Sequence, residues 1–140
     1  MMQSVLRYHD FSCGHRVVGH EGACAHIHGH NYRVYFYCST TTLDQVGRVI
    51  DFGAIKVLLC EWLEQNWDHR FLAFEEDPML EGLRALDPDG IVAMSFNPTA
   101  ENMASYLLEV VGPTKLACTG IVLYRVEVEE TRKCSALAEL

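Results

Sequence analysis

The stretch that most constrains this 140-residue chain is Cys24-Ala25-His26-Ile27-His28-Gly29-His30-Asn31-Tyr32, which packs a thiol and three imidazoles into nine residues. Packing alone gives no reason for that density. If His28 and His30 open an extended segment, the strand period of two turns both rings to one side, where they can meet a single cation. Gly29 between them lets a second chain segment or a ligand come close. Two imidazoles fill half of a tetrahedral zinc shell, and the obvious third donor is His15, in Phe11-Ser12-Cys13-Gly14-His15-Arg16. Three histidines with an open fourth position describe a catalytic zinc site, because structural sites are closed by four protein ligands. Nickel or cobalt would also accept three imidazoles. His20 and His26 are rival donors. Neither shares both a strand face and a neighbour with His28 and His30, so both are expected to face solvent or to support the site.

The surrounding pattern reads as α+β. A strand over Val5 to Phe11 leads into His15. A second, over Asn31 to Ser39, puts Tyr32, Val34, Phe36 and Cys38 on one side and Arg33, Tyr35 and Tyr37 on the other. Asp51 caps a helix from about Phe52 to Asn66, with Ile55, Leu58, Leu59, Trp62 and Leu63 at helical spacing. Asp68 and His69 follow its end and, taken in isolation, read as surface residues. Residues 75–93 read as a peripheral excursion with a short helical pattern around Met79 to Leu86. Asn97-Pro98-Thr99-Ala100-Glu101-Asn102 starts a second long helix, expected to run to about Val111 and to stop at Gly112-Pro113. In the last strand, about Thr119 to Thr131, Val122, Tyr124, Val126 and Val128 line one face and share their parity with Glu130. Arg125, Glu127 and Glu129 line the other. Glu130 is thus expected on the buried side, where a carboxylate needs a cationic or multiply donating partner.

Composition narrows the class. With 49% hydrophobic and 21% charged residues, the chain reads as one soluble globular domain over 1–140. A net charge of −8 argues against sequence-independent nucleic-acid binding. No run approaches the roughly 20 apolar residues of a membrane span. The start, Met1-Met2-Gln3-Ser4, lacks a basic region followed by an apolar stretch, so a cytoplasmic location is expected. Cys13, Cys24, Cys38, Cys60, Cys118 and Cys134 form no CxxC pair, and most are expected to be small buried hydrophobes.

Six separated motifs, in one order, resemble the 6-pyruvoyl-tetrahydropterin synthase and 6-carboxy-tetrahydropterin synthase family: Phe11 to Arg16, Cys24 to Tyr32, Val49-Ile50-Asp51-Phe52, Asp68-His69-Arg70, Asn97 to Asn102 and Glu129-Glu130-Thr131. The resemblance implies the tunnelling fold, a four-stranded antiparallel sheet with two helices on one face. It also implies a homohexamer built as a dimer of trimers, with active sites at subunit interfaces. It gives His15, His28 and His30 to Zn2+, Cys24 to catalysis, and Asp68 with His69 to the acid-imidazole pair that completes proton transfer. Glu130 and Thr99 would bind the pterin; many relatives carry a basic residue at the place of Ala23, so Arg16, Arg70 or a basic group from a neighbouring subunit is left to hold the triphosphate. Cys13 reads as packing.

Only Ala25, His26 and Ile27 separate Cys24 from the His28/His30 pair, as in the queuosine-pathway members. The resemblance therefore favours conversion of 7,8-dihydroneopterin triphosphate to 6-carboxy-5,6,7,8-tetrahydropterin, with acetaldehyde and triphosphate released. The alternatives are 6-pyruvoyl-tetrahydropterin formation or dihydroneopterin side-chain cleavage on the same scaffold, and a non-catalytic zinc- or pterin-binding protein.

Overall fold

The computed structural model describes residues 1–140. Its strands are β1 (Gln3–His15), β2 (His28–Thr40), β3 (Phe71–Phe74), β4 (Ile91–Met94), β5 (Val122–Thr131) and β6 (Cys134–Glu139), joined in one sheet in the order β4-β3-β1-β2-β5-β6. β1, β2, β5 and β6 are the expected antiparallel set. The sheet is nevertheless six-stranded and mixed, because β3 pairs in parallel with the His15 end of β1 and β4 in parallel with β3. Both added strands are four residues long, too short for alternation to declare itself in the sequence.

Helix α1 (52–66) begins at Asp51, whose Oδ1 accepts from the Gly53 N–H. Helix α2 (Leu80–Leu86) lies in the crossover from β3 to β4. Helix α3 (100–115) is capped by the Thr99 hydroxyl, which accepts from Asn102 N at 3.1 Å. Helices α1 and α3 pack Leu59, Leu63, Met103 and Leu107 against Phe11, Tyr32, Val34, Phe36 and Val126 of the sheet. Burial of each such side chain stabilises the fold by roughly 1.5–3 kcal/mol. On the other side of β3, Ala73 packs with Leu80 and Leu83 of α2, so the molecule has a third helix and not all of its helices share a face.

Two local expectations need correction. The helix does not stop at Gly112-Pro113 but continues to Lys115. In a regular α-helix the proline ring would clash with the carbonyl four residues back, and the π-helical turn at Leu107–Val111 widens the backbone just before it. Gly112 is needed for packing, since a Cβ there would stand 2.5 Å from Leu123 Cδ2. In β5, Tyr37 pairs with Arg125 but Cys38 pairs with Leu123, so Tyr124 is an extra, bulged residue. The face flips there: Leu123 enters the core, and Val122 is 48% exposed. From Val126 to Val128 the expected parity holds; a second register shift lies between Glu129 and Thr131, and Glu130 still projects to the histidine side. Cys13, Cys38 and Cys60 are buried as small core side chains, half of the six and short of the majority expected, since Cys24 is half-buried and Cys118 and Cys134 are exposed. No helix is long and apolar enough to cross a membrane.

Candidate active site

His15 ends β1, His28 opens β2, and the hairpin register sets them directly opposite one another. His30 lies two residues on, on the same side and opposite Cys13. Gly14 and Gly29 pair between them, and a Cβ on Gly29 would come within 2.9 Å of the Cys13 carbonyl oxygen. The three rings converge: His15 Nε2 is 3.1 Å from His28 Nε2, and the ligand atoms of all three lie within 4.8 Å of one another.

Backbone carbonyls orient two of the rings. His15 Nδ1 donates to the Pro98 carbonyl at 2.6 Å, and His28 Nδ1 donates to the His26 carbonyl at 2.7 Å. Each bond fixes the tautomer that leaves Nε2 bare, the form a metal ligand requires. His30 Nε2 is buried without a hydrogen-bond partner, an orphan that a cation would satisfy. Burial is the main cause that lowers the pKa of both His15 and His30; the Glu130 carboxylate pulls the other way, and the neighbouring rings add to the lowering. Three converging imidazoles, two of them tied through Nδ1 to a backbone carbonyl, fit one divalent cation with a position left open.

The connection between the ligand strands carries Cys24, half-buried in a 3₁₀ turn at Ala23–Ala25. Val17 N donates to the Cys24 carbonyl (2.8 Å), and Arg16 Nε donates to the Ala25 carbonyl (2.9 Å). Arg16 Nη1 also donates to Asp77 Oδ1 at 2.9 Å, so its guanidinium is engaged inside the fold. Asn97 clamps Val18 from both ends of its amide, accepting from Val18 N (3.0 Å) and donating to Val18 O (2.9 Å). The Asn97–Asn102 motif thus caps α3, orients His15 through Pro98 and ties down the loop behind Cys24. His20 accepts from Gly22 N, and His26 supports His28 through its carbonyl; neither joins the trio.

Glu130 completes this face. Its Oε1 lies 3.5 Å from His15 Nε2 and 3.6 Å from His30 Nε2, with the side chain 25% exposed. Tyr32 and Pro98 were not legible as site residues. The Tyr32 hydroxyl sits 3.4 Å from both ring nitrogens of His15, and burial raises its pKa, keeping the phenol neutral. Its parity with His28 and His30 is the signal that could have found it. Burial likewise pushes the Cys13 thiol up to about 12, in keeping with a packing role.

Asp68 and His69 lie elsewhere. Asp68 Oδ1 accepts from Ser12 N at 3.0 Å, its Oδ2 pairs with His69 Nδ1 at 2.9 Å, and His69 N donates to the Ser12 carbonyl at 2.7 Å. Burial alone would raise the Asp68 pKa, but the Ser12 N–H and His69 outweigh it and hold the carboxyl below its ordinary value. His69 takes a left-handed backbone conformation (φ 57°) just past the end of α1, a place more often filled by glycine. Its side chain is 81% exposed and lines an open cleft of about 730 Å³ with Asp10, Ser12, Asn31 and Arg33. Those four residues alternate with the core-facing Phe11, Cys13, Tyr32 and Val34, so they lie on the face of the sheet away from the histidine trio, and Glu64 of α1 borders the same cleft.

Residues 4–139 match the family described as 6-pyruvoyl tetrahydropterin synthase. The chain belongs to that family. It is 32% identical, over 89% of its length and 91% of the relative's, to a 6-carboxy-5,6,7,8-tetrahydropterin synthase of Rickettsia felis. It is 29% identical to one of Synechocystis, over 98% of this chain and 92% of that protein. Among solved structures, an uncharacterized protein from Wolinella succinogenes superposes with a TM-score of 0.86 at 24% identity, covering 99% of this chain and 98% of that one. The 6-pyruvoyltetrahydropterin synthase of Plasmodium vivax gives 0.76 at 18% identity, covering 100% and 98%. These likenesses show the tunnelling fold, here with β3 and β4 added at one edge of the four-stranded antiparallel set.

Proposed function

We propose that this chain converts 7,8-dihydroneopterin triphosphate and water to 6-carboxy-5,6,7,8-tetrahydropterin, acetaldehyde and triphosphate, with zinc on His15, His28 and His30. The observation that carries the reading is the convergence of three imidazoles, with Glu130 beside them and the Cys24 turn joining the strands that bear them. The names of the relatives and the short gap from Cys24 to His28 support the 6-carboxy product over the 6-pyruvoyl one. When bound, the ion supplies Lewis acidity at the substrate's side-chain oxygens.

Cys24 takes a proton from the substrate and returns it between ring and side chain. Glu130 accepts the adjacent N–H groups of the pterin edge, as a carboxylate accepts a guanidinium fork. The Thr99 oxygen caps α3, which leaves its O–H free to donate to the same edge. Asp68 orients His69, which moves protons on the other side of the substrate. Because that pair faces away from the trio within one chain, a neighbouring copy in a hexamer would bring it to the metal-bearing face. Arg16, engaged by Asp77, makes a poor phosphate ligand; Arg70 or a neighbouring subunit is the better source of positive charge. The product would enter a deazapurine pathway such as queuosine formation.

The test is to incubate the purified protein with dihydroneopterin triphosphate, identify products by mass spectrometry and measure metal on the same sample. The expected result is the 6-carboxy product and one metal ion per chain. A 6-pyruvoyl or side-chain-cleaved product would replace this reading with a sister activity, and an inert metal-loaded protein would leave a binding role.

A further inference from the structure

We propose that Asp77 is a positioning residue for Cys24: acting through Arg16, it holds in place the turn that carries the thiol between the two strands bearing the three histidines. This rests on the reading of Cys24 as the proton-transfer group. Asp77 sits in the crossover between β3 and β4, outside every motif of the site and far along the chain from Arg16 and Cys24. Its side chain is 0% exposed. Oδ1 accepts from Arg16 Nη1 (2.9 Å) and from Met79 N (2.8 Å), while Oδ2 is buried with no partner. A buried carboxylate left half-satisfied is expensive, and its one cationic partner is Arg16, itself 11% exposed. Arg16 Nε in turn donates to the carbonyl of Ala25, the residue directly after Cys24. The turn has no side-chain cap of its own, and its remaining ties are backbone bonds such as Val17 N to Cys24 O and Ala25 N to Gly22 O. Arg16 also follows His15 in sequence, so one guanidinium links the ligand strand, the thiol turn and the crossover. Without Asp77 the guanidinium is free to turn to water, and the Ala25 carbonyl loses its donor.

The test uses the full-length, metal-loaded protein and the variants Asp77→Ala, Asp77→Asn and Arg16→Lys, the last keeping the charge but losing the Nε donor. Iodoacetamide labelling of Cys24 is timed by peptide mass spectrometry, with exposed Cys118 and Cys134 as internal references, beside metal content, melting temperature and kcat. Loss of one charge-assisted bond should open the turn, and speed Cys24 labelling, roughly tenfold in Asp77→Ala and Arg16→Lys. Asp77→Asn, which keeps Oδ1 as an acceptor, should fall between these and the unaltered protein. The reference cysteines and the metal content should not move, and kcat should drop roughly 10- to 100-fold. If Asp77→Ala does not fold, Asp77→Asn and Arg16→Lys carry the test. Cys24 labelling within about twofold of the unaltered protein in every folded variant would overturn the proposal. Faster labelling with unchanged kcat would keep the strut and overturn the catalytic reading of Cys24. An unaltered protein inactive on the pterin would sink the functional reading and leave the labelling comparison standing.

Discussion

At the His15 end of the sheet, the helix-covered face holds three imidazoles, two of them bonded through Nδ1 to backbone carbonyls, whose ligand atoms lie within 4.8 Å of one another. The open face, one residue away in register, holds an Asp68–His69 pair whose imidazole stands almost wholly in water. Rings able to hold a metal ion need fixed orientations, and backbone carbonyls and burial supply them here within a single chain. An acid-imidazole pair in water has its orientation held only loosely, and it gains definition when another surface covers it. The contrast teaches that one copy of the chain already assembles a cluster that could hold a metal ion, while its Asp68–His69 pair stands uncovered on the opposite face.

The largest effects should fall on the covered face. His28→Ala should lose the metal and all turnover. Cys24→Ala should keep the metal, measured by elemental analysis, while turnover falls by about 10²–10⁴. A Cys24→Ala variant that also lost its metal would make the thiol part of the ligand set. On the open face, His69→Gly should abolish proton transfer yet hold or raise the melting temperature. Glycine relieves a left-handed residue of about 1 kcal/mol of strain, which offsets the loss of the bond from the largely exposed His69 ring to Asp68. A marked drop in stability would show that the imidazole is a structural part of the monomer.

A subtler effect concerns pH. The Asp68 carboxyl is held below its ordinary value of 3.8. Its contribution to stability is therefore present above that value and lost as pH falls through the lowered one. The stability gap between the unaltered protein and Asp68→Asn, followed by urea melts, should be open at neutral pH and close below 3.8. A gap that persisted at lower pH would place the stabilisation in shape and not in charge. The smallest effect marks where the two faces divide: Leu123→Ala should cost about 2–4 kcal/mol, while Val122→Ala stays within about 0.5 kcal/mol. Equal costs would remove the bulge at Tyr124.

Much of the covered face was legible because strand periodicity is local. His28, Gly29 and His30 declare a shared side in three letters, and Glu130 keeps its parity with Val126 and Val128. The same rule failed at Val122 and Tyr124, since a bulge inserts one residue without a sequence mark. Pro98 was hidden for another reason: the group that orients His15 is a backbone carbonyl, and no residue type signals it. β3 and β4 are too short to show a period, and Asp77 acquires its partner only through the crossover that they create. The separation of Asp68 and His69 from the trio was equally hidden. Nothing in adjacent letters says which side of a sheet a helix end will reach.

The most direct measurement of an active site completed by two copies is complementation. Chains carrying Cys24→Ala and His69→Gly are co-expressed with different tags, the mixed assembly is isolated through both, and turnover of dihydroneopterin triphosphate is followed. If each site takes its thiol and metal from one copy and its imidazole from another, the mixture recovers roughly a quarter of the unaltered activity, although each variant alone is inactive. Activity in the mixed assembly no higher than in either variant alone would contradict a site shared between opposite faces.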